Sequence, residues 1–215
     1  MPTGTLTVED IKTRAGLVLT DATHVRWTDA EMMLWINDGL RIMARVPAIG
    51  ATTAVMPLVA GTRQRLPAQA IALVDVARNM GSNAATPGRS ITEVDRAILD
   101  RSQPDWHRQR PRPEVRHFAR SAATPTEFYV YPPPQLPASV EVEFTANFPT
   151  LENNTDRLPV ADAFAPALVD YLLYRCFSKD ADYSTNPQRA QMHYAAFSSA
   201  IGISGQPQPV QGGDA

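Results

Sequence analysis

The chain has 215 residues, 44% hydrophobic and 20% charged, which excludes wholesale disorder and leaves room for a real core in one elaborated domain or two joined subdomains. A net charge of −2 lacks the basic excess with which DNA-gripping proteins neutralise phosphates, so DNA in contact with this chain would slide past it. The single cysteine, Cys176, excludes an intrachain disulfide and a Cys-rich zinc site, and its apolar neighbours make it a buried structural thiol before an activated nucleophile.

The opening MPTGTLTVED carries no basic region followed by an apolar run, so no signal peptide is expected. No stretch approaches the ~18 consecutive apolar residues of a membrane span, and the chain is expected in a soluble compartment. A first helix should start at Thr7, with Asp10 completing a capping box, and Val8, Ile11, Ala15, Val18 and Leu19 on one face; it should stop near Thr20. A second should start at Thr28 with Glu31 three residues on, carry Met32, Ile36, Leu40 and Met43 as its stripe beside Trp35, and end before Pro47. Their short connection predicts an antiparallel pair.

From about Gly50 the pattern turns to strands: 52–59, 63–66, 71–80 and 89–94, with a loop at 81–88 and a short helix over 93–101. Many of the nineteen prolines fall between Pro104 and Pro166, which predicts short strands and shaped loops there, at 115–118 and 127–131. Pro132, Pro133 and Pro134, followed by Pro137, predict a stiff extended loop offered to a neighbour or serving as a plain surface connection. Val140, Val142, Phe144, Ala146 and Phe148 alternate with polar residues, the clearest strand signal in the chain. Helices return over 164–179, through Phe164, Leu168, Tyr171, Leu172 and Cys176, and again from Asn186 as cap with Pro187 first, through Ala190, His193, Tyr194, Phe197 and Ile201. The expected fold class is α+β: a four-helix bundle from the N- and C-terminal helix pairs (1–49 and 158–202), a β-rich insertion (50–157) and a C-terminal tail (203–215) whose composition predicts disorder when free.

Chemistry-bearing constellations are sparse. His24, His107, His117 and His193 lack a second ligand at metal spacing, and His193 on an apolar face reads first as a satisfied core histidine. No phosphate-binding glycine loop or nucleophile elbow is present. Glu141 and Glu143 share a strand face and suggest a glycosidase-like pair, but alternate carboxylates on a wet face are usually solvated charge. No catalytic, cofactor-binding or metal residue is assigned. The run from Arg101 to Arg120, with Arg108, Arg110, Arg112 and Arg116 inside it and Trp106, His107 and Phe118 interleaved, has three readings: subunit contact, nucleic-acid surface or plain solvated charge.

Four segments carry a family resemblance: RWTDAEMMLWINDGLR at 26–41, ILDRSQPDWH at 98–107, PTEFYVYPPP at 125–134, and ALVDYLLYRCFSKDADYSTNPQRAQMHYAAF at 167–197. In this order and spacing they resemble the adaptor proteins of tailed phages, the short-tailed podovirus-like kind known as tail tubular protein A or head-to-tail connector proteins. The resemblance implies a non-enzymatic virion part at the head–tail neck, assembled in the host cytoplasm. It implies a homo-oligomeric ring of about twelve subunits docked under the portal protein, meeting the tail nozzle or tube, and passing DNA through its lumen without specific binding. It implies no cofactor and no membrane. Partner contacts are expected at Arg108, Arg110 and Arg112, at Pro132, Pro133 and Pro134, and along the tail at Ile203, Pro207, Pro209 and Val210. A virion-associated cell-wall hydrolase and a DNA-binding packaging factor are the rival readings.

Overall fold

The computed structural model describes residues 4–81, 83–180 and 185–203. The protein is mixed α+β, with six α-helices and two β-sheets among those residues: α1 Val8–Leu19, α2 Asp29–Met43, α3 Pro47–Gly50, β1 Ala51–Pro57, β2 Arg63–Arg65, β3 Ala70–Asn79, β4 Thr92–Glu93, α4 Arg96–Ser102, β5 His117–Arg120, β6 Glu127–Tyr131, β7 Ser139–Ala146, α5 Ala165–Lys179 and α6 Asn186–Ala200. It divides into a helical unit, 1–49 with 148–215, and a strand unit, 50–147.

In the helical unit both predicted capping boxes close. The Thr7 hydroxyl accepts from Asp10 N at 3.3 Å while the Asp10 carboxylate accepts from Thr7 N at 2.8 Å, and Thr28 and Glu31 repeat the exchange. Thr20 adopts a left-handed conformation, φ 55°, and ends α1 where expected. Residues of α1, α2, α5 and α6 share one apolar core, and α5 packs against the other three. Val18, assigned to the buried face of α1, is instead exposed, and Lys12 takes a buried place. The lysine is admitted because every ammonium proton has an acceptor: Asp29 O and Oδ1, both at 3.0 Å, and Asn154 Oδ1 at 2.7 Å. Asn186 is not the cap of α6 but its first residue; Thr185 precedes it, and the Asn186 amide donates to Asp180 O.

Residues 148–157 group with the helices rather than with the strands where the sequence reading put them. Asn37 of α2 is one reason, beside the ties of α1 to Asn154 and Asp156. Its Nδ2 donates to Leu151 O at 3.0 Å and its Oδ1 accepts from Leu151 N at 2.9 Å, so a remote backbone is paired as if by a strand. Phe148, read as the last strand residue, packs on the helical core. Gly39 lets α5 approach α2: a Cβ there would lie 2.8 Å from Tyr171 Cδ1 and 2.9 Å from Leu168 Cδ1.

In the strand unit, β7 lies between β1 and β3 and pairs antiparallel with both. Val140, Val142, Phe144 and Ala146 face inward as the alternation required. The second sheet runs β2-β6-β5-β4, antiparallel except for the parallel β4–β5 pair. Both sheets feed one apolar core that includes Leu73, Phe118, Phe128 and Phe144. The strand expected over 89–94 shrinks to Thr92–Glu93, because the preceding residues are held by Asn79: its N and Nδ2 both donate to Arg89 O at 2.9 Å.

Candidate partner-contact surface

The arginine run begins on α4, whose cap is Asp95, with Oδ1 accepting from Ala97 N at 2.8 Å. Beyond it Trp106 is fully buried, which anchors the irregular segment to the second sheet. Its indole N–H donates to Asp100 Oδ1 at 2.8 Å; its ring meets Tyr129 and Tyr131 edge-on, at 6.0 and 6.2 Å, and stacks on His107 at 3.7 Å. The His107 Nδ1 lies 2.6 Å from the Thr62 hydroxyl. Tyr131 also hydrogen-bonds Gln103 and Gln109 through its hydroxyl.

The backbone of the run is tied at further points. Arg112 N donates to Pro133 O at 2.9 Å and Arg112 O accepts from Gln135 N at 2.8 Å. Arg116 N donates to Tyr131 O at 2.8 Å. Val115 is clamped by Asn79, whose Nδ2 donates to Val115 O at 2.8 Å and whose Oδ1 accepts from Val115 N at 2.9 Å. The structure therefore brings two predicted groups together, Arg112 and the proline loop. Pro132, Pro133 and Pro134 are buried, while Gln135, Leu136 and Pro137 beyond them are exposed. The Arg112 backbone bridges to the loop at Pro134, through the Pro133 carbonyl and the Gln135 N–H.

The side chains contrast with this pinned backbone. Arg101, Arg108, Arg110, Arg112 and Arg116 are all exposed, and none forms an ion pair among the described residues. Arg120, at the far end, is committed: it binds Glu93 at 2.7 Å and donates to the carbonyls of Leu73 and Val74. A cavity of about 240 Å³ is lined by Gln109, Arg112, Glu114, Arg116, Tyr131 and Pro132. Residues 101–120 hold six arginines against Asp105 and Glu114, a local charge of +4. Trp106 and Phe118, interleaved with the arginines in sequence, are fully buried and unavailable for stacking on bases.

The other candidates resolve differently. Glu141 is occupied by Arg78 at 2.9 Å, and Glu143 sits opposite Thr53 and Asp75 in the first sheet. His24 lies 3.0 Å from Asp29, His193 lies 2.8 Å from Asp170, and His117 stacks on Tyr131, so the four histidines are dispersed. Among the described residues no group of three or more His, Cys, Asp or Glu is placed to hold a metal ion. Cys176 is fully buried, and burial pushes its thiol up to about 12. Ile203, counted with the tail, is tied back by its N–H to Ser198 O at 2.9 Å and packs on the helical core; Pro207, Pro209 and Val210 lie outside the described residues. Sequence reasoning missed Asn79, Asn37 and Lys12, whose partners are remote in sequence, and no local signal marks them.

No helix among the described residues is long and apolar enough to cross a membrane. Compared with known proteins, residues 6–214 match the family described as SU10 adaptor protein. No curated protein matches the chain.

Proposed function

We propose a role that starts from one premise: the chain belongs to the SU10 adaptor protein family and is a phage adaptor-type protein. Within that role the chain is a structural part of the virion, placed at the head–tail neck. About twelve copies close a ring under the portal protein, meet the tail nozzle or tube on the other rim, and line the channel through which DNA passes. The narrower likeness to the tail tubular protein A of podoviruses is part of this proposal. So is the architecture read from the sequence, a four-helix bundle carrying an inserted β-rich domain, and so is docking of the C-terminal segment, read from the sequence as 203–215, on the portal.

The observation that carries the reading is the span of the family match, nearly the whole chain and both units. A net charge of −2 supports it, because a weakly acidic lumen does not hold the like-charged genome. An exposed arginine row on a pinned backbone supports contact with another protein surface over chemistry on a small molecule. The deciding experiment is mass measurement of the full chain alone and after mixing with portal protein. Monomers alone and a closed multi-copy ring on the portal are expected; a mixture that stays monomeric would overturn the reading. Removing 204–215 should weaken portal docking and leave the helical content unchanged; undiminished docking would remove the C-terminal segment from the proposal.

A further inference from the structure

We propose that the arginine row of the strand unit is one side of the contact between successive copies of this chain, and that the other side is an acidic face on the helical unit of the next copy. This rests on the ring reading above and names what the arginines meet.

The acidic face is built around the start of α1. Glu9 and Asp10 occupy its first turn, where the helix dipole favours negative charge. The loop before α5 folds against that turn: Val8 N donates to Asp156 O and Glu9 N to Asn154 O, both at 3.0 Å. Asp162 reaches the same end, accepting from Thr5 N at 2.8 Å. Glu152 completes five carboxylates gathered from three stretches of sequence, with Arg14 and Arg157 as the local counter-charges; Asp10 and Asp156, like Asp162, also accept from nearby backbone amides. Glu9 and Glu152 are exposed and form no ion pair among the described residues.

Charge complementarity selects the partner. The helical unit has nine basic and thirteen acidic residues, a balance of −4; the strand unit has eleven and nine, a balance of +2. Every copy thus carries both halves of a head-to-tail contact, the heterologous kind that closes rings. Eighteen of the twenty basic residues are arginine, and only Lys12 and Lys179 are lysine. The planar fork of arginine matches carboxylates bidentately and loses less entropy per hydrogen bond than an ammonium, and the backbone at Arg112 and Arg116 needs no further ordering. DNA fits less well. Asp105 and Glu114 interrupt the positive row, and a duplex would set an unbroken line of phosphates against them. A protein face of mixed charge pairs with both signs.

The test is a charge swap in the full chain, read as portal-bound copies by mass measurement. Arg108→Glu/Arg110→Glu/Arg112→Glu should weaken multi-copy assembly at least tenfold. Glu9→Arg/Glu152→Arg should do the same. An equimolar mixture of the two variants should restore assembly, since each then offers the surface the other lacks; this rescue also shows that both variants fold. If the wild type forms rings and the triple variant forms them equally well, the ring reading stands and the arginine contact is wrong. Loss of assembly without rescue by the mixture also overturns the pairing. If the triple variant assembles normally but loses salt-dependent retardation of a short DNA duplex, the row is a DNA surface. A wild type that never passes from monomer to ring ends both readings.

Discussion

Replacing Asn79 by leucine isolates one of the ties that hold the arginine segment in place. The side chain is almost fully buried, and leucine matches it in size, so the change removes hydrogen bonds without opening a large hole. Three bonds go: to Val115 O at 2.8 Å, from Val115 N at 2.9 Å, and to Arg89 O at 2.9 Å. Arg89 O keeps its second donor, the backbone N–H of residue 79, and suffers little. The Val115 N–H and C=O are left unpaired in a buried site, at about 1–3 kcal/mol each. Burial of the leucine methyls returns part of this, so a net loss near 3 kcal/mol is expected. That is a large share of the roughly 5–15 kcal/mol that stabilises a typical domain. Urea unfolding of the full chain should show the lower midpoint, and hydrogen exchange should show the Val115 amide opening about a hundredfold more often. A variant within ~0.5 kcal/mol of wild type that keeps a protected Val115 amide would refute the claim that the Asn79 amide holds Val115.

Gly39→Ala should destabilise by about 1–3 kcal/mol despite alanine's better helix propensity, because its methyl meets the Tyr171 ring and Leu168; thermal unfolding of equal or higher midpoint would show that α2 and α5 have room to spare. Acid should weaken the helical unit. Asp10 and Asp156 are held below the usual carboxylate range by backbone amides, Asp162 by the Thr5 hydroxyl, Asp29 by the Lys12 ammonium and Glu31 by that of Lys179. Each is thus more acidic folded than unfolded, so its contribution is complete above the ordinary range, near pH 4, and is lost as pH falls through the folded values. Helical circular dichroism followed below pH 4 checks this, and a signal unchanged to the bottom of the titration would contradict it. The Cys176 thiol should resist a thiol reagent at neutral pH while the chain is folded and react once it is denatured; equal rates in both states would show that the helical core opens readily.

What the sequence determined by itself is what short-range forces determine. Thr7 with Asp10, and Thr28 with Glu31, set the helix starts because cap and acceptor lie three residues apart, and no distant contact is needed to satisfy the amides. The strict alternation from Val140 to Ala146 placed one strand and its inward face for the same reason. The arginine row was visible as composition. Only tertiary structure decided which face of α1 is inside, since Lys12 finds acceptors 17 and 142 positions away while the apolar Val18 is left out. It alone divided the strands between two sheets and buried Pro132, Pro133 and Pro134. It also turned a row of arginines into a surface on a fixed backbone, through remote ties such as the pairing of Asn79 with Val115, 36 residues away. A buried hydrogen bond is worth forming wherever the chain brings donor and acceptor together, and that meeting is a property of the packed molecule, with no counterpart in residue spacing.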